Sequence, residues 1–168
     1  QELFHDGVIA TLLAIGMIAI YVAVRFEWQY GIGAAIATGH DVLVTAGLFS
    51  VFQLDFGLTA VAALLTLAGY SINDTVVVFD RIRELLALHH AKTDDPKEVI
   101  NHAINKTLSR TLITALTVLF VLIVLFIFGG EVIRGFSFAL LVGVCFGTYS
   151  SICIATPVIV DFGKKDLK

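Results

Sequence analysis

Two aspartates lie inside long apolar segments of this 168-residue chain. Asp41 is in segment 30–52 and Asp74 is in segment 56–79. A charged side chain inside hydrocarbon costs at least about 2.5 kcal/mol, so it marks a proton or ion pathway or a structural hydrogen bond. At ~1.5 Å per helical residue, Asp41 lies about 16 Å and Asp74 about 9 Å from the same membrane face. These carboxylates are the first candidates for chemistry.

Polar partners accompany both aspartates at helical spacing. Asn73 adjoins Asp74, and Arg110 begins a further polar stripe at the start of a later apolar segment. Burial favours the neutral form of a carboxyl group and a nearby guanidinium favours the ionised form, so together they suit proton exchange. The predicted proton-relay set is Asp74, Arg110, Asp41 and Asn73. Two alternatives stay open: Asp41 as a packing hydrogen bond, and Arg110 as a snorkelling boundary residue.

The elements that position these residues are five apolar segments. They cover about residues 7–24, 30–52, 56–79, 111–128 and 135–160. Each reaches the ~18 to 20 residues that a helix needs to cross ~30 Å of hydrocarbon. With 58% hydrophobic and 15% charged residues, the composition excludes an ordinary soluble domain. We therefore predict an all-α membrane protein, a single transmembrane domain over 1–168 built as a bundle of five transmembrane helices.

The distribution of basic residues predicts the orientation of the bundle. Ten of the eleven Lys and Arg residues fall in the 25–29 link, the 80–110 link and the C-terminal tail, and only Arg134 lies on the other side. Cytoplasmic connections of membrane proteins are enriched in Lys and Arg. The N-terminus is thus expected in the periplasm and the C-terminus in the cytoplasm.

The 80–110 link has the pattern of a helix. Asp95, Pro96 and Glu98 suit the N-cap, first and third helical positions, and apolar residues from Val99 onward follow one face. The pattern predicts a cytoplasmic amphipathic helix between spans three and four that lies along the inner membrane surface. The alternative is a surface helix that contacts only protein.

Small residues recur at every fourth position of the fifth segment. This small-residue stripe consists of Gly135, Ala139, Gly143, Gly147, Ser151 and Ala155. In lipid, small residues let two helix backbones approach closely. The stripe predicts a packing groove, filled either by a neighbouring helix of this chain or by a partner subunit.

Several function classes have no support in the sequence. The net charge is −3 and no basic run is present, which argues against a nucleic-acid partner. Cys145 and Cys153 have no companions at metal-ligand spacing. We expect no metal and no cofactor.

The segment from Gly69 to Glu84, GYSINDTVVVFDRIRE, resembles the SecF members of the bacterial SecD/SecF protein-export family. The resemblance extends over most of the chain and includes the segments 25–28, 40–42, 110–114 and 135–137. It implies a member of the resistance–nodulation–division superfamily rather than an enzyme. The family has six spans, with a periplasmic domain between the first and second. This chain resembles the membrane part from the second span onward.

The resemblance also implies a function. Such a protein works with SecD beside the SecYEG channel and its accessory subunits in the bacterial inner membrane, where it uses the proton motive force to promote preprotein translocation. Residues corresponding to Asp74 and Arg110 are implicated in proton passage. Two other functions are compatible with parts of the sequence. A passive scaffold would use the small-residue stripe, and an intramembrane aspartyl protease would pair the two aspartates, against which their unequal depths and the absent Gly-x-Gly-Asp sequence argue.

Overall fold

A computed structural model describes residues 2–26, 28–89 and 96–162. The long helices are α1 (Glu2–Arg25), α2 (Trp28–Val51), α3 (Leu58–His89), α4 (Pro96–Phe128) and α5 (Gly130–Ser150). A π-turn at Ser151–Ala155 follows α5 and leads into the short helix α6 (Thr156–Phe162). In the described part of the chain, five helical regions are long and apolar enough to cross a membrane. The predicted all-α membrane fold is confirmed.

The helix α3 is the centre of the bundle. It contacts every other long helix, and half of its most apolar window is buried, against 17% for α1 and α4. The outer faces of α1 and α4 expose large apolar residues, for example Met17, Ile20 and Phe120. Such continuous apolar surface is suited to lipid or to another protein rather than to water. Thus α2, α3 and α5 form the interior, while α1 and α4 flank it.

The small-residue stripe of α5 faces helices of the same chain. A β-carbon on Gly143 would lie 2.5 Å from Leu67 Cδ1 of α3, and one on Gly147 would lie 3.5 Å from Asp41 Oδ2 of α2. Ala139 belongs to the same apolar cluster as Leu67, whereas Gly135 is only half-buried. Because glycine has no side chain, side chains of α2 and α3 fill the space beside Gly143 and Gly147. This part of the stripe faces helices of the same chain, whereas Gly135 has open space beside it.

The predicted amphipathic helix is the first part of α4, which is continuous through Phe128. Its apolar face packs against α3 in one buried cluster that contains Ile82, Leu85, Leu86, Val99, Ile100 and Ala103. The prediction that this face lies on the membrane surface is therefore wrong. The physical reason is that α3 continues to His89, past the predicted span end at residue 79, and offers an apolar partner face. Asp95 lies outside the described residues.

The link between α4 and α5 is shorter than predicted. Helix α4 ends at Phe128, and α5 begins at Gly130 rather than near residue 135. Gly130 has a φ of +73°. Glycine adopts this left-handed conformation without the clash that a β-carbon would cause. Two consecutive glycines thus reverse the chain between the two helices.

The π-turn at Ser151–Ala155 has a local cause in Pro157. Proline lacks a backbone N–H, and its ring clashes with the carbonyl four residues earlier, so regular α-helical bonding is interrupted. Thr156 Oγ1 instead donates a hydrogen bond to the carbonyl oxygen of Ser151 at 3.2 Å. Single π-turns within helices occur frequently at functional sites. This one begins at a buried serine that faces the polar interior.

Candidate functional site

The carboxyl group of Asp74 lies between α3 and α4. The residue is 9% exposed, and its Oδ1 accepts a hydrogen bond from Thr111 Oγ1 at 2.9 Å. Oδ2 is buried and has no hydrogen-bond partner within the described residues. One carboxyl oxygen is therefore held by α4, and the hydroxyl of Ser151 in the π-turn is also near enough to the carboxyl group to favour its charged form.

Arg110 lies beside this site without bonding to it. Its side chain is exposed and within electrostatic range of Asp74. The ion pairs formed by the described residues do not include one between Arg110 and Asp74. The structure thus brings these two predicted residues near each other, but the hydroxyl of Thr111 makes the direct contact.

Asn73 does not join Asp74. It is exposed on the outer face of α3, in line with exposed Thr66 and Gly69, and Tyr70 is half-buried. Neighbouring residues of an α-helix point about 100° apart, so Asp74 can face inward while Asn73 faces outward. The polar residues of α3 thus lie on two faces: Asp74 faces the inside of the bundle, whereas Thr66 and Asn73 lie on its surface.

Asp41 occupies a separate and fully enclosed site between α2, α3 and α5. Its Oδ2 accepts hydrogen bonds from Ser71 Oγ at 2.6 Å and from Ser150 Oγ at 2.7 Å. His40 Nδ1 lies 3.1 Å from Oδ1. Asp41, Ser71 and Ser150 are each 0% exposed. This carboxylate connects three helices, and both of its oxygens have a polar neighbour.

The start of the π-turn adjoins both aspartate sites. Ser150 bonds to Asp41, and the next residue, Ser151, has its Oγ 3.1 Å from the Oγ1 of Thr75, which follows Asp74 in α3. No hydrogen bond among the described residues joins the two carboxylates themselves. Consecutive serines therefore connect the end of α5 to both polar sites of the interior.

The hydroxyl residues that complete these two sites were not among the residues predicted from the sequence. They are Ser71, Thr75, Thr111 and Ser150, together with the polar role of Ser151. A usable signal was present in the i, i+3, i+4 spacing of Ser71, Asp74 and Thr75. It is weak, because Ser and Thr in helices often bond to their own backbone. Thr45, for example, donates to the carbonyl oxygen of Asp41 in the preceding turn.

Comparisons with known proteins agree with this architecture. Residues 1–165 match the family model described as "Protein export membrane protein SecD/SecF, C-terminal". A relative named protein translocase subunit SecF from Rhodothermus marinus is 52% identical over 167 residues, which cover 96% of this chain and 54% of the relative. The SecF of Cereibacter sphaeroides is 50% identical over 173 residues, covering 99% and 53%.

Solved structures give the same result. The crystal structure of SecDF from Thermus thermophilus, described as a translocon-associated membrane protein, matches with a TM-score of 0.89 and 43% identity, over 95% of this chain and 22% of that one. SecDF in its super-membrane-facing form matches with a TM-score of 0.88 and 43% identity, over 99% and 22%.

The chain spans about half the length of the SecF relatives that it matches. With its five apolar helices and bacterial relatives, it is a multi-pass protein of the bacterial inner membrane. It belongs to the SecD/SecF family of protein-export membrane proteins.

Proposed function

We propose that this chain is the membrane part of a protein-export subunit that couples proton movement to preprotein translocation together with SecD. Family membership supports the export role, since the relatives are named protein translocase subunits. The observation that carries the proton role is the buried Asp74 carboxyl group, which has one oxygen bonded to Thr111 and the other without a partner among the described residues. The proposed role is transport, and no bond of the preprotein is made or broken.

Two opposing effects make Asp74 suitable as a proton carrier. Burial among apolar helices penalises the carboxylate, because a charge loses its hydration there. The hydrogen bond from Thr111 and the nearby charge of Arg110 favour the carboxylate. The two effects act in opposite directions on the protonation of Asp74. A small change in hydration or in the position of α4 then moves the proton on or off.

A partner such as SecD is supported by the outer face of α3. The exposed residues Thr66, Gly69 and Asn73 lie along it. A carboxamide facing acyl chains leaves its hydrogen bonds unmade, which is costly in lipid. Gly69 has open space where a β-carbon would be, so a helix can approach closely there. We propose that a SecD helix covers α3 between Thr66 and Asn73, and that the complex acts beside the SecYEG channel on preproteins.

The protease function has less support than the transport function. Two catalytic aspartates must share a proton at close range. Asp41 bonds to Ser71 and Ser150, whereas Asp74 bonds to Thr111, and the described hydrogen bonds include none between the two carboxyl groups. A passive scaffold remains the alternative that the following experiment separates from proton coupling.

The test is a preprotein translocation assay in membrane vesicles with an imposed pH gradient, using the full-length protein and its partner subunits. Asp74→Asn keeps the size of the side chain but cannot exchange a proton, so we expect the stimulation by the gradient to be lost. Asp55→Asn, at an exposed position between α2 and α3, is the matched control and should respond as wild type. If Asp74→Asn responds to the gradient as wild type does, the scaffold function replaces proton coupling.

A further inference from the structure

A charged cleft opens between α1, α3 and α4 at the basic end of the bundle, where α1 ends. Its volume is about 590 Å³. The charged residues that line it are Arg25, Asp80, Arg81, Glu84, Lys106 and Arg110. Four cations thus face two acids. The cleft has a formal excess of positive charge within a chain whose net charge is −3.

Three of the four cations have no acidic partner among the described residues. Arg81 pairs with Glu84, whereas Arg25, Lys106 and Arg110 form no ion pair there. Arg25 instead lies over the ring of Phe26, with 5.2 Å between the guanidinium carbon and the ring centroid. Asp80 also lines the cleft, and its side chain is exposed. Cations that line one cavity repel each other, and an anion placed among them relieves this repulsion.

Apolar surface adjoins the charged part of the cleft. Val76, Val77 and Phe26 line its walls. Exposed apolar residues then continue along α1 and α4 toward the middle of the bundle, including Met17, Ile20, Val24, Ile113 and Leu116. The site therefore combines a cationic end, at the level where the spans end, with an apolar path into the membrane. Basic pockets between transmembrane helices with this composition suit anionic lipid headgroups.

We propose that this cleft binds the headgroup phosphate of an anionic phospholipid. Arg25 of α1 and Lys106 and Arg110 of α4 contact the phosphate from opposite sides, and the acyl chains lie along the exposed faces of both helices. Guanidinium groups suit this role because they donate two parallel hydrogen bonds to phosphate oxygens. A zwitterionic lipid brings its own cation into a cleft that already has an excess of them, so it binds less well. A soluble phosphate shares the charge but gains nothing from the apolar path.

The proposal has a consequence for the proton site, which rests on the proposed function. Arg110 lines the cleft and is also within electrostatic range of Asp74. A bound phosphate neutralises part of the charge that favours the Asp74 carboxylate. Lipid binding itself needs no proton movement. Its failure and a failure of proton coupling are therefore separate results.

The test is native mass spectrometry of the full-length protein in its native complex, in micelles that contain equal amounts of palmitoyl-oleoyl phosphatidylglycerol and phosphatidylcholine. We expect phosphatidylglycerol to be retained in preference. The double variant Arg25→Gln/Lys106→Gln should lower this affinity roughly 25-fold, from about fivefold for each basic residue near an anionic headgroup. Neither residue belongs to the Asp74 site.

The matched control is Lys97→Gln/Arg134→Gln, which removes the same charge from exposed positions outside the cleft. It should bind phosphatidylglycerol as wild type does. The charge-keeping variant Arg25→Lys/Lys106→Arg should also retain the lipid, which separates lost charge from lost folding. Equal retention of the two lipids by wild type, or equal losses in the test and control variants, would overturn the proposal. Displacement of phosphatidylglycerol by inorganic phosphate alone would assign the cleft to a soluble anion and overturn the lipid assignment.

Discussion

The two intramembrane aspartates occupy opposite kinds of environment. Asp41 is fully enclosed, and it receives hydrogen bonds from α3 and α5. Asp74 is slightly less buried, accepts one hydrogen bond from Thr111 with the Ser151 hydroxyl nearby, and keeps Oδ2 without a hydrogen-bond partner among the described residues. The comparison shows that burial of a carboxylate in a membrane does not by itself indicate proton transfer. Asp41 and Asp74 differ in the number of hydrogen bonds that their carboxyl groups accept and in how completely the residues are buried.

The difference has an energetic basis. Each hydrogen bond to a carboxylate offsets part of the cost of its desolvation, so a fully bonded carboxylate resembles a fixed structural part. A carboxyl group with one open oxygen is closer to balance between its two protonation states. We therefore propose that Asp41 ties α2, α3 and α5 together and that Asp74 carries the proton. This proposal removes Asp41 from the predicted proton-relay set, in which both aspartates were included.

The largest expected effect comes from filling the space beside Asp41. Gly147→Leu places a side chain where a β-carbon is already 3.5 Å from Asp41 Oδ2 and 3.7 Å from Ser71 Cβ. We expect most of the folded protein to be lost, because overpacking and broken hydrogen bonds act at one site. Cys145→Leu, at an exposed position of the same helix, is the control. Equal yields of monodisperse protein in detergent would show that the Asp41 site is not closely packed.

The next effect tests the proposed structural role of Asp41 directly. Asp41→Ala leaves the buried hydroxyl of Ser71 without its acceptor and that of Ser150 with only the Gly147 carbonyl oxygen, which should lower the free energy of unfolding by about 2 to 4 kcal/mol. Asp41→Asn keeps an acceptor oxygen and should cost only about 1 kcal/mol. Titration with a denaturing detergent measures both. Asp41→Asn should also keep its response to a pH gradient, and loss of that response would mean that both aspartates carry protons.

Arg110 tests whether charge near Asp74 matters. Arg110→Ala removes the positive charge that favours the carboxylate and should abolish most of the gradient-driven translocation. Arg110→Lys keeps the charge but loses the planar guanidinium, so a measurable part of the response should remain. Arg134→Ala, in the first turns of α5, controls for loss of a surface cation. Identical results for the Ala and Lys variants would show that the charge of Arg110 does not act on Asp74.

The smallest effect is expected at Thr111. Thr111→Val keeps the shape of the side chain but removes the hydrogen bond to Asp74, worth about 1 kcal/mol, so gradient-driven translocation should slow by about fivefold. Thr114→Val is a matched control, because its hydroxyl donates only to backbone carbonyl oxygens of the same helix. A slowing of the same size in both variants would indicate a general effect on α4 rather than on the proton site.

Much of the fold could be predicted because its signals are local. The length of an apolar segment and the cost of a charge inside it depend on that segment alone, so the five spans and the importance of Asp74 follow from the residues themselves. The partner of the apolar face that follows Pro96 could not be predicted in the same way. That face packs against the last turns of α3, near Leu85 and Leu86. An apolar stripe predicts burial but does not identify what covers it.

From the residues alone it follows that this protein lies in a membrane, that Asp41 and Asp74 are inside apolar segments, and that α5 carries a small-residue stripe. The meeting of Ser71 and Ser150 at Asp41, and the bond from Thr111 to Asp74, follow only from the way the helices pack. Helical spacing determines the angle of a side chain around its own axis. Which residue it meets depends on how the neighbouring helices cross and on the π-turn that begins at Ser151. These are relations between segments distant in sequence, and no single helix encodes them.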